Sequence, residues 1–516
     1  MKKARKLLRI IFGRTAFVVM SLLLQISILL AGFRFLSHYM VYIYGGFTLL
    51  SAFVILYVVN KDENPSFKLA WIIPITVIPV FGTLLYLFLE LQWEGKIINR
   101  KLRENISDTQ PYLKQNPRYM EQLAKTSRSN ANLAAYIENS GSYPVYGNTN
   151  VKYYPVGEEM FEDMKKELEK AKRFIFMEYF IVERGEMWDS LLEILERKVQ
   201  EGVEVRFMYD GMCCLVLLPY SYPRELRAKG LKAKMFAPIR PALSTYQNNR
   251  DHRKILVIDG HTAFTGGINL ADEYINRKVR FGHWKDTGIM VKGDAVTSFT
   301  MMFLQMWNIT EREPEDYGRY LRDPEFFYPP ELSMEGFVIP YGDSPLDQET
   351  VGELVYLDII NTARNYVHIM TPYLILNYEL VQALQFAAKR GVETIIIMPH
   401  IPDKEYAFLL AKAHYEELIR AGVQIYEYTP GFVHAKVFTS DDEKAVVGTI
   451  NMDYRSLYLH FECAAYIYRN EVIKDVERDF KETLAKSQVI TLEECRHYPW
   501  YKKFAGRVLR LFAPLM

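Results

Sequence analysis

One pattern occurs twice in the 516-residue chain and constrains its fold more than any other feature. The segment DHRKILVIDGHTAFTGGIN carries His252, Lys254, Asp259, Gly266 and Asn269. The segment VHAKVFTSDDEKAVVGTIN carries His434, Lys436, Asp441, Gly448 and Asn451. From each histidine the lysine is 2 residues on, the aspartate 7, the glycine 14 and the asparagine 17, and every position of the second copy lies 182 residues beyond its counterpart. A lone H-x-K-x4-D is weak evidence. Two copies in one register require a duplicated unit. A duplicate kept only for its fold would first lose a histidine or a lysine, and all four are present.

The residues around the motifs repeat too. RFIFMEYFIV (173–182), a helix-like WDSLLEILERKVQEGV (188–203) and EVRFMYDG (204–211) are matched by YVHIMTPYLIL (366–376), YELVQALQFAAKRGV (378–392) and ETIIIMP (393–399). Short β-branched and aromatic runs alternating with helical periods predict α/β halves with largely buried sheets. Each helix is expected to stop at a Gly-Val, Gly202-Val203 and Gly391-Val392. The proline-rich stretch 326–345 reads as the join between a first half, 130–325, and a second half, 335–500.

The first hundred residues are different. Apolar stretches run from about Ala16 to Phe33, Met40 to Val59 and Leu69 to Leu91, each near the ~20 residues that cross a bilayer. Residues 1–105 are therefore expected to form an α-helical membrane region of two or three helices. Six basic residues precede the first stretch, and Lys96, Arg100, Lys101 and Arg103 follow the third. Positive flanks place both ends in the cytoplasm, which demands an even number of crossings. One stretch is then interfacial or re-entrant: the first, with its basic lead-in, or the third, with Pro74 and Pro79 inside it. Residues 105–130 read as a polar linker. The tail 500–516 alternates basic and apolar residues and suits either a membrane surface or packing on the core. The net charge of +1 gives no basic field for nucleic acid. Cys213, Cys214, Cys463 and Cys495 match neither a zinc spacing nor a disulfide framework, and read as free thiols in a reducing compartment.

The motif has a physical logic. Residues i and i+2 of a strand face one side, so each His-Lys pair can meet one ligand. The glycine turn lets backbone approach a phosphate, to which Asn269 and Asn451 offer amide donors. Two lysines and two asparagines then cage a phosphate anion. One imidazole attacks phosphorus and the other protonates the leaving oxygen. Nothing in this constellation calls for a metal or other cofactor.

These motifs resemble the duplicated signature of the phospholipase D superfamily. The wider context, including WKDT (284–287), GFVHAKVF (431–438), GTINMDYRS (448–456) and the apolar segment 64–89, is similar to bacterial cardiolipin synthases. The resemblance implies two halves forming one site between them, related by a pseudo-twofold axis. It implies His252 as nucleophile and His434 as general acid, with Asp286 and Glu462, 34 and 28 residues beyond their histidines, orienting the imidazoles. Asp259 and Asp441 belong to the catalytic signature but are expected to brace the fold. Thr449 replaces a common serine, and Gly288 stands where a histidine often follows. The implied reaction joins two phosphatidylglycerol molecules into cardiolipin and glycerol at the cell membrane, with phospholipids and the bilayer as partners. Hydrolysis by a phospholipase D, head-group exchange with phosphatidylserine or phosphatidylethanolamine, a nuclease and an inactive membrane scaffold stay open as alternatives.

Overall fold

A computed structural model describes residues 40–90, 94–212, 216–238, 248–322 without 312 and 314, and 336–515 without 348, plus isolated positions before residue 40. The first apolar stretch, Cys213, Cys214 and most of the expected join lie outside the described residues.

Each half is built on one sheet. The first half supplies β1 (Thr149–Tyr154), β2 (Phe174–Tyr179), β3 (Glu204–Asp210), β4 (Lys232–Phe236), β5 (Arg250–Asp251), β6 (Ile255–Ile258), β7 (Thr262–Gly266), β8 (His283–Lys285) and β9 (Gly288–Gly293). The second supplies β10 (Phe337–Asp343), β11 (Tyr366–Met370), β12 (Glu393–Pro399), β13 (Gln424–Tyr428), β14 (Gly431–Val433), β15 (Val437–Ser440), β16 (Lys444–Gly448), β17 (His460–Tyr468) and β18 (Ser487–Val489). The first sheet has the order β1-β9-β7-β6-β2-β3-β4. The second repeats it as β10-β17-β16-β15-β11-β12-β13, with β18 added at the edge. In both, the central strand runs parallel to its neighbour on one side and antiparallel to the motif strand on the other. The two sequence repeats are therefore one topology used twice.

The repeated helices follow from their apolar spacing. Glu186–Gln200 buries Met187, Trp188, Leu191, Leu192 and Leu195, and Tyr378–Lys389 buries Leu380, Val381, Ala383, Leu384 and Ala387. Each helix is followed by a glycine in the left-handed region, Gly202 at φ 89° and Gly391 at φ 91°, which turns the chain into the next strand.

Two regions differ from the sequence expectation. Residues 105–130 are not an extended linker: they form the end of helix Glu94–Thr109, helix Pro117–Thr126 and the start of Arg128–Gly141. The Asn105 amide donates to the Gln305 carbonyl at 2.8 Å, and the Gln305 amide donates to the Thr109 hydroxyl at 2.7 Å. Their polar composition reflects outer faces, while Leu113 and Leu123 are buried. The third apolar stretch is two helices, Pro65–Val77 and Pro79–Glu90, broken at Ile78. At that break Gly82 lies so close to the Pro74 carbonyl that a Cβ there would stand 2.5 Å from its oxygen. Helix Met40–Asn60 packs on this pair through Val54, Val58, Ile75 and Tyr86, and the Ser51 and Thr83 hydroxyls share a 2.7 Å hydrogen bond. Leu49, Phe53, Leu56, Leu69, Val77 and Phe88 face outward. Among the described residues no helix is long and apolar enough to cross a membrane.

Asp259 and Asp441 stand at the far ends of β6 and β15 from the histidines. Asp259 accepts the backbone N–H groups of Lys172, Arg173 and Phe174, each at 2.8 Å. Asp441 accepts those of Arg364, Asn365 and Tyr366. Both staple a hairpin to the start of the central strand, and neither reaches the site. Replacing Asp259 by alanine strips three N–H groups of their acceptor. The expected loss is about 3 kcal/mol, read as a lowered urea midpoint.

Candidate active site

The motif lies where the chain leaves one sheet for the other. Short β5 pairs in parallel with β17 of the second half, Arg250 opposite His460 and Asp251 opposite Phe461. Reciprocally, β14 pairs in parallel with β8 of the first half, Phe432 opposite Trp284 and Val433 opposite Lys285. The H-x-K residues bridge from these cross-ladders into β6 and β15, outside the strands themselves. The ladders continue one residue further: the His252 N–H donates to the Phe461 carbonyl at 2.9 Å, and the His434 N–H to the Lys285 carbonyl at 2.7 Å. The next residues on the accepting strands are Glu462 and Asp286.

The carboxylates are consequently exchanged. Glu462 holds His252 Nδ1 with both oxygens, at 2.8 and 2.9 Å, and Asp286 holds His434 Nδ1 at 2.6 Å. The expectation that each acid serves its own histidine is corrected: each orients the histidine of the other half, because the parallel ladder sets it beside that ring. With Nδ1 protonated towards its carboxylate, Nε2 of each ring carries the free lone pair.

All four basic side chains of the two motifs are buried. Lys254 Nζ donates to the His252 carbonyl at 2.6 Å, and Lys436 Nζ donates to the His434 carbonyl. Burial drives Lys254 down to about 8 and Lys436 to about 7, against the opposing pull of Glu462 and Asp286. Burial and then Lys254 hold His252 well below the usual histidine range. Burial and then Lys436 bring His434 to about 4, with Asp286 pulling the other way. His434 contributes to the shift of His252, and Lys254 to that of His434, so the two motifs share one electrostatic site. Buried lysines of this kind favour a neighbouring negative charge.

The remaining motif residues divide. The Asn269 carbonyl oxygen accepts the Ile181 N–H at 2.9 Å, and its amide donates to the Tyr274 hydroxyl at 2.8 Å. Its bonds go to the scaffold, and Tyr274 in turn packs its ring 5.5 Å from that of His434. Asn451 is buried with its side-chain oxygen unpartnered. The glycines make room for the acid strands: a Cβ on Gly267 would stand 2.0 Å from an Asp286 oxygen, and one on Gly448 2.4 Å from the Ala464 Cβ. The Thr449 hydroxyl, at the position equivalent to Gly267, donates to Glu462. Gly288 fits against the Met160 sulfur, where a side chain would collide.

Several residues of the site escaped the motif. The Phe180 ring meets His252 edge-on at 4.6 Å. His460 and Trp284 lie 5.5 and 5.4 Å from the rings of His252 and His434. Each stands two residues before its acid, and that spacing was the available signal. Beneath the first motif, Arg253 bridges Glu178 at 2.5 Å and Asp251 at 3.5 Å, and burial raises both carboxyls above the usual range. Among the described residues, His252, His460 and Glu462 form the cluster able to hold a metal, with ligand atoms within 4.8 Å of one another.

A protein-family profile described as "Cardiolipin synthase, PLD-like domain" matches residues 164–307 and 356–484. The chain belongs to this family. A second profile, "Phospholipase_D-nuclease N-terminal", matches residues 48–89. The chain is 34% identical to a cardiolipin synthase of Geobacillus kaustophilus, over 90% of its own length and 92% of the relative's. It is 32% identical to one of Halalkalibacterium halodurans, over 93% and 96%. An uncharacterized protein of Streptococcus mutans is 52% identical over 90% of this chain and 99% of its own. The crystal structure of the phosphatidylserine synthase of Haemophilus influenzae shares the fold, with a TM-score of 0.53 at 15% identity, covering 76% of this chain and 98% of that one.

The lysine shifts make anion binding pH-dependent. A phosphate mimic such as tungstate favours the charged lysines, so its affinity is expected to fall as pH rises through 7 and 8, where the ligand-free Lys436 and Lys254 lose their protons. Binding near pH 8 should take up protons, seen by calorimetry in buffers of different ionisation enthalpy. Affinity independent of pH between 6 and 9 would contradict this assignment.

Proposed function

We propose that this site makes cardiolipin by phosphatidyl transfer between two phosphatidylglycerol molecules. The observation that carries the reading is the exchanged pair of histidine–carboxylate contacts beside two buried lysines. His252 Nε2 attacks phosphorus, and the bond to the head-group glycerol oxygen breaks. The departing oxygen takes a proton from His434, and free glycerol leaves. Glu462 stabilises the positive charge on the phosphorylated His252 ring, and Asp286 that on His434. The bound phosphodiester raises the pKa of His434 from about 4 by adding negative charge next to it, so the ring can carry the proton it gives to the leaving oxygen. In the second step His434 removes a proton from the terminal hydroxyl of another phosphatidylglycerol, whose oxygen displaces His252. One phosphodiester is exchanged for another, so no nucleotide is consumed.

Lys254 and Lys436 hold the non-bridging oxygens, with the Asn451 amide beside them. We assign residues 1–105 to a membrane region, 130–325 and 335–500 to the two halves, and 500–516 to a segment lying on the bilayer. The outward apolar side chains of the N-terminal helices support this. So do Trp500, Phe504 and Leu511, exposed on the basic C-terminal helix Trp500–Phe512. The broken third stretch supports a re-entrant hairpin, leaving two true crossings and cytoplasmic catalytic halves.

Purified protein given phosphatidylglycerol alone, with chelator present, is expected to release cardiolipin and glycerol. Phosphatidic acid as the main product would instead establish water as the acceptor. His252→Ala should abolish the phosphohistidine, while His434→Ala should lose ~10²–10⁴-fold in rate. Because the acids are exchanged, Glu462→Gln should impair phosphohistidine formation on His252, a residue of the other half. A trapped phosphohistidine at His434 would reverse the two roles.

For topology, a single cysteine at the exposed Ser107, on a background lacking the native four, should resist an impermeant thiol reagent in intact cells and react after lysis. Reaction in intact cells would place the halves outside.

A further inference from the structure

The mechanism leaves one buried ring of the site unused. His460 opens β17 two residues before Glu462 and faces the same side. Its ring lies 5.5 Å from His252 and 6.2 Å from Phe180. It is only 8% exposed, and neither ring nitrogen has a hydrogen-bond partner. Nδ1 stands 3.8 Å from a Glu462 oxygen, too far for a hydrogen bond, and that carboxylate is already engaged by His252 and Thr449. The cross-ladders make Trp284 the equivalent position in the other half. Its indole N–H, next to His434, is also buried and unpartnered. Each imidazole of the site thus has beside it a buried nitrogen whose hydrogen-bonding capacity the protein itself leaves unused. Stranded polar groups at such positions are costly to the folded protein and find their partner in the bound state.

Two kinds of ligand can satisfy His460. A divalent cation would take His252, His460 and Glu462 together. It would also sit against Lys254 and Lys436, which contribute positive charge to the same place. An oxyanion is attracted by those lysines and needs what a neutral imidazole offers, an N–H. Burial keeps His460 neutral at pH 7 by pushing it down to about 4.

We infer that His460 is a further substrate-binding residue, donating a hydrogen bond to a non-bridging oxygen of the phosphodiester held between His252 and His434. The inference rests on the phosphate-site reading above. Its position beside the attacking ring suits an oxygen equatorial to the line of attack, where charge gathers as the bond to His252 forms.

The test compares His460→Ala, His460→Phe and His460→Gln in the full-length, detergent-solubilised protein, with urea midpoints measured for each. Glutamine keeps an N–H donor, and phenylalanine keeps a ring without one. Tungstate affinity and kcat/KM are expected to fall about 10–100-fold in the alanine and phenylalanine variants, as for a lost hydrogen bond to a charged group. The glutamine variant should recover most of that loss. Equal tungstate affinity in wild type and the phenylalanine variant overturns the inference, and so does an equal loss in all three variants. Zinc inhibition that disappears in His460→Phe while tungstate affinity is unchanged would assign the cluster to a cation instead. A wild-type protein that does not bind tungstate overturns the phosphate-site reading together with this one. Binding without cardiolipin synthesis overturns only the proposed reaction.

Discussion

Two hydrogen bonds organise the site: the backbone N–H of each motif histidine donating to the carbonyl just before the other half's acid. They end parallel ladders of two and three residues, and they fix the spacing between strands from different sheets. Once the ladder is in place, Glu462 and Asp286 have no freedom to serve the nearer histidine in sequence. The same ladders bring Lys254 and Lys436 near enough to act on each other's charge, each lysine following its histidine by two residues. Catalytic geometry is here a by-product of strand pairing, which is stiffer than any loop.

That stiffness permits an electrostatic arrangement which would otherwise collapse. Four basic side chains are buried together, and two carboxylates offset part of their charge. The halves support this load differently. Below the first motif lies a charged layer of Glu178, Asp251 and Arg253. The register of the sheets puts Met370 and the apolar Val433 and Ala435 at the corresponding places of the second. His252 is thus set on a polar base and His434 on an apolar one. The difference falls along the same line as the proposed division into nucleophile and acid.

Much of this was legible in the sequence. The repeat at a spacing of 182 residues announced two equivalent units, and the alternation of strand-like and helix-like runs gave their class, because buried strands and amphipathic helices have different apolar periods. Asp259 and Asp441 were read as braces within the catalytic signature, and each accepts three backbone N–H groups at the start of a neighbouring strand. The exchange of Glu462 and Asp286 was not legible, since sequence distance carries no information on which of two identical motifs a strand will meet. Asn269 looked like a phosphate donor because its neighbour in the structure, Ile181, lies 88 residues away. Residues 105–130 looked like a linker because helices with one buried stripe are mostly polar. His460 was hidden by being a lone histidine without a motif of its own.

The N-terminal hairpin is bolted beside this machinery. The Asn64 amide donates to the Tyr458 hydroxyl at 2.9 Å, the Tyr454 hydroxyl donates to Ser66 at 2.9 Å, and Phe67 packs edge-on against both tyrosine rings. Tyr454 and Tyr458 flank the turn of helix that leads directly into His460 and Glu462. A lateral force on the apolar helices is therefore delivered within a few residues of the carboxylate that aims His252, with no flexible tether between. On the proposed placement of these helices in the membrane and the proposed attack by His252, bilayer thickness and tension become mechanical inputs to the alignment of the reacting ring.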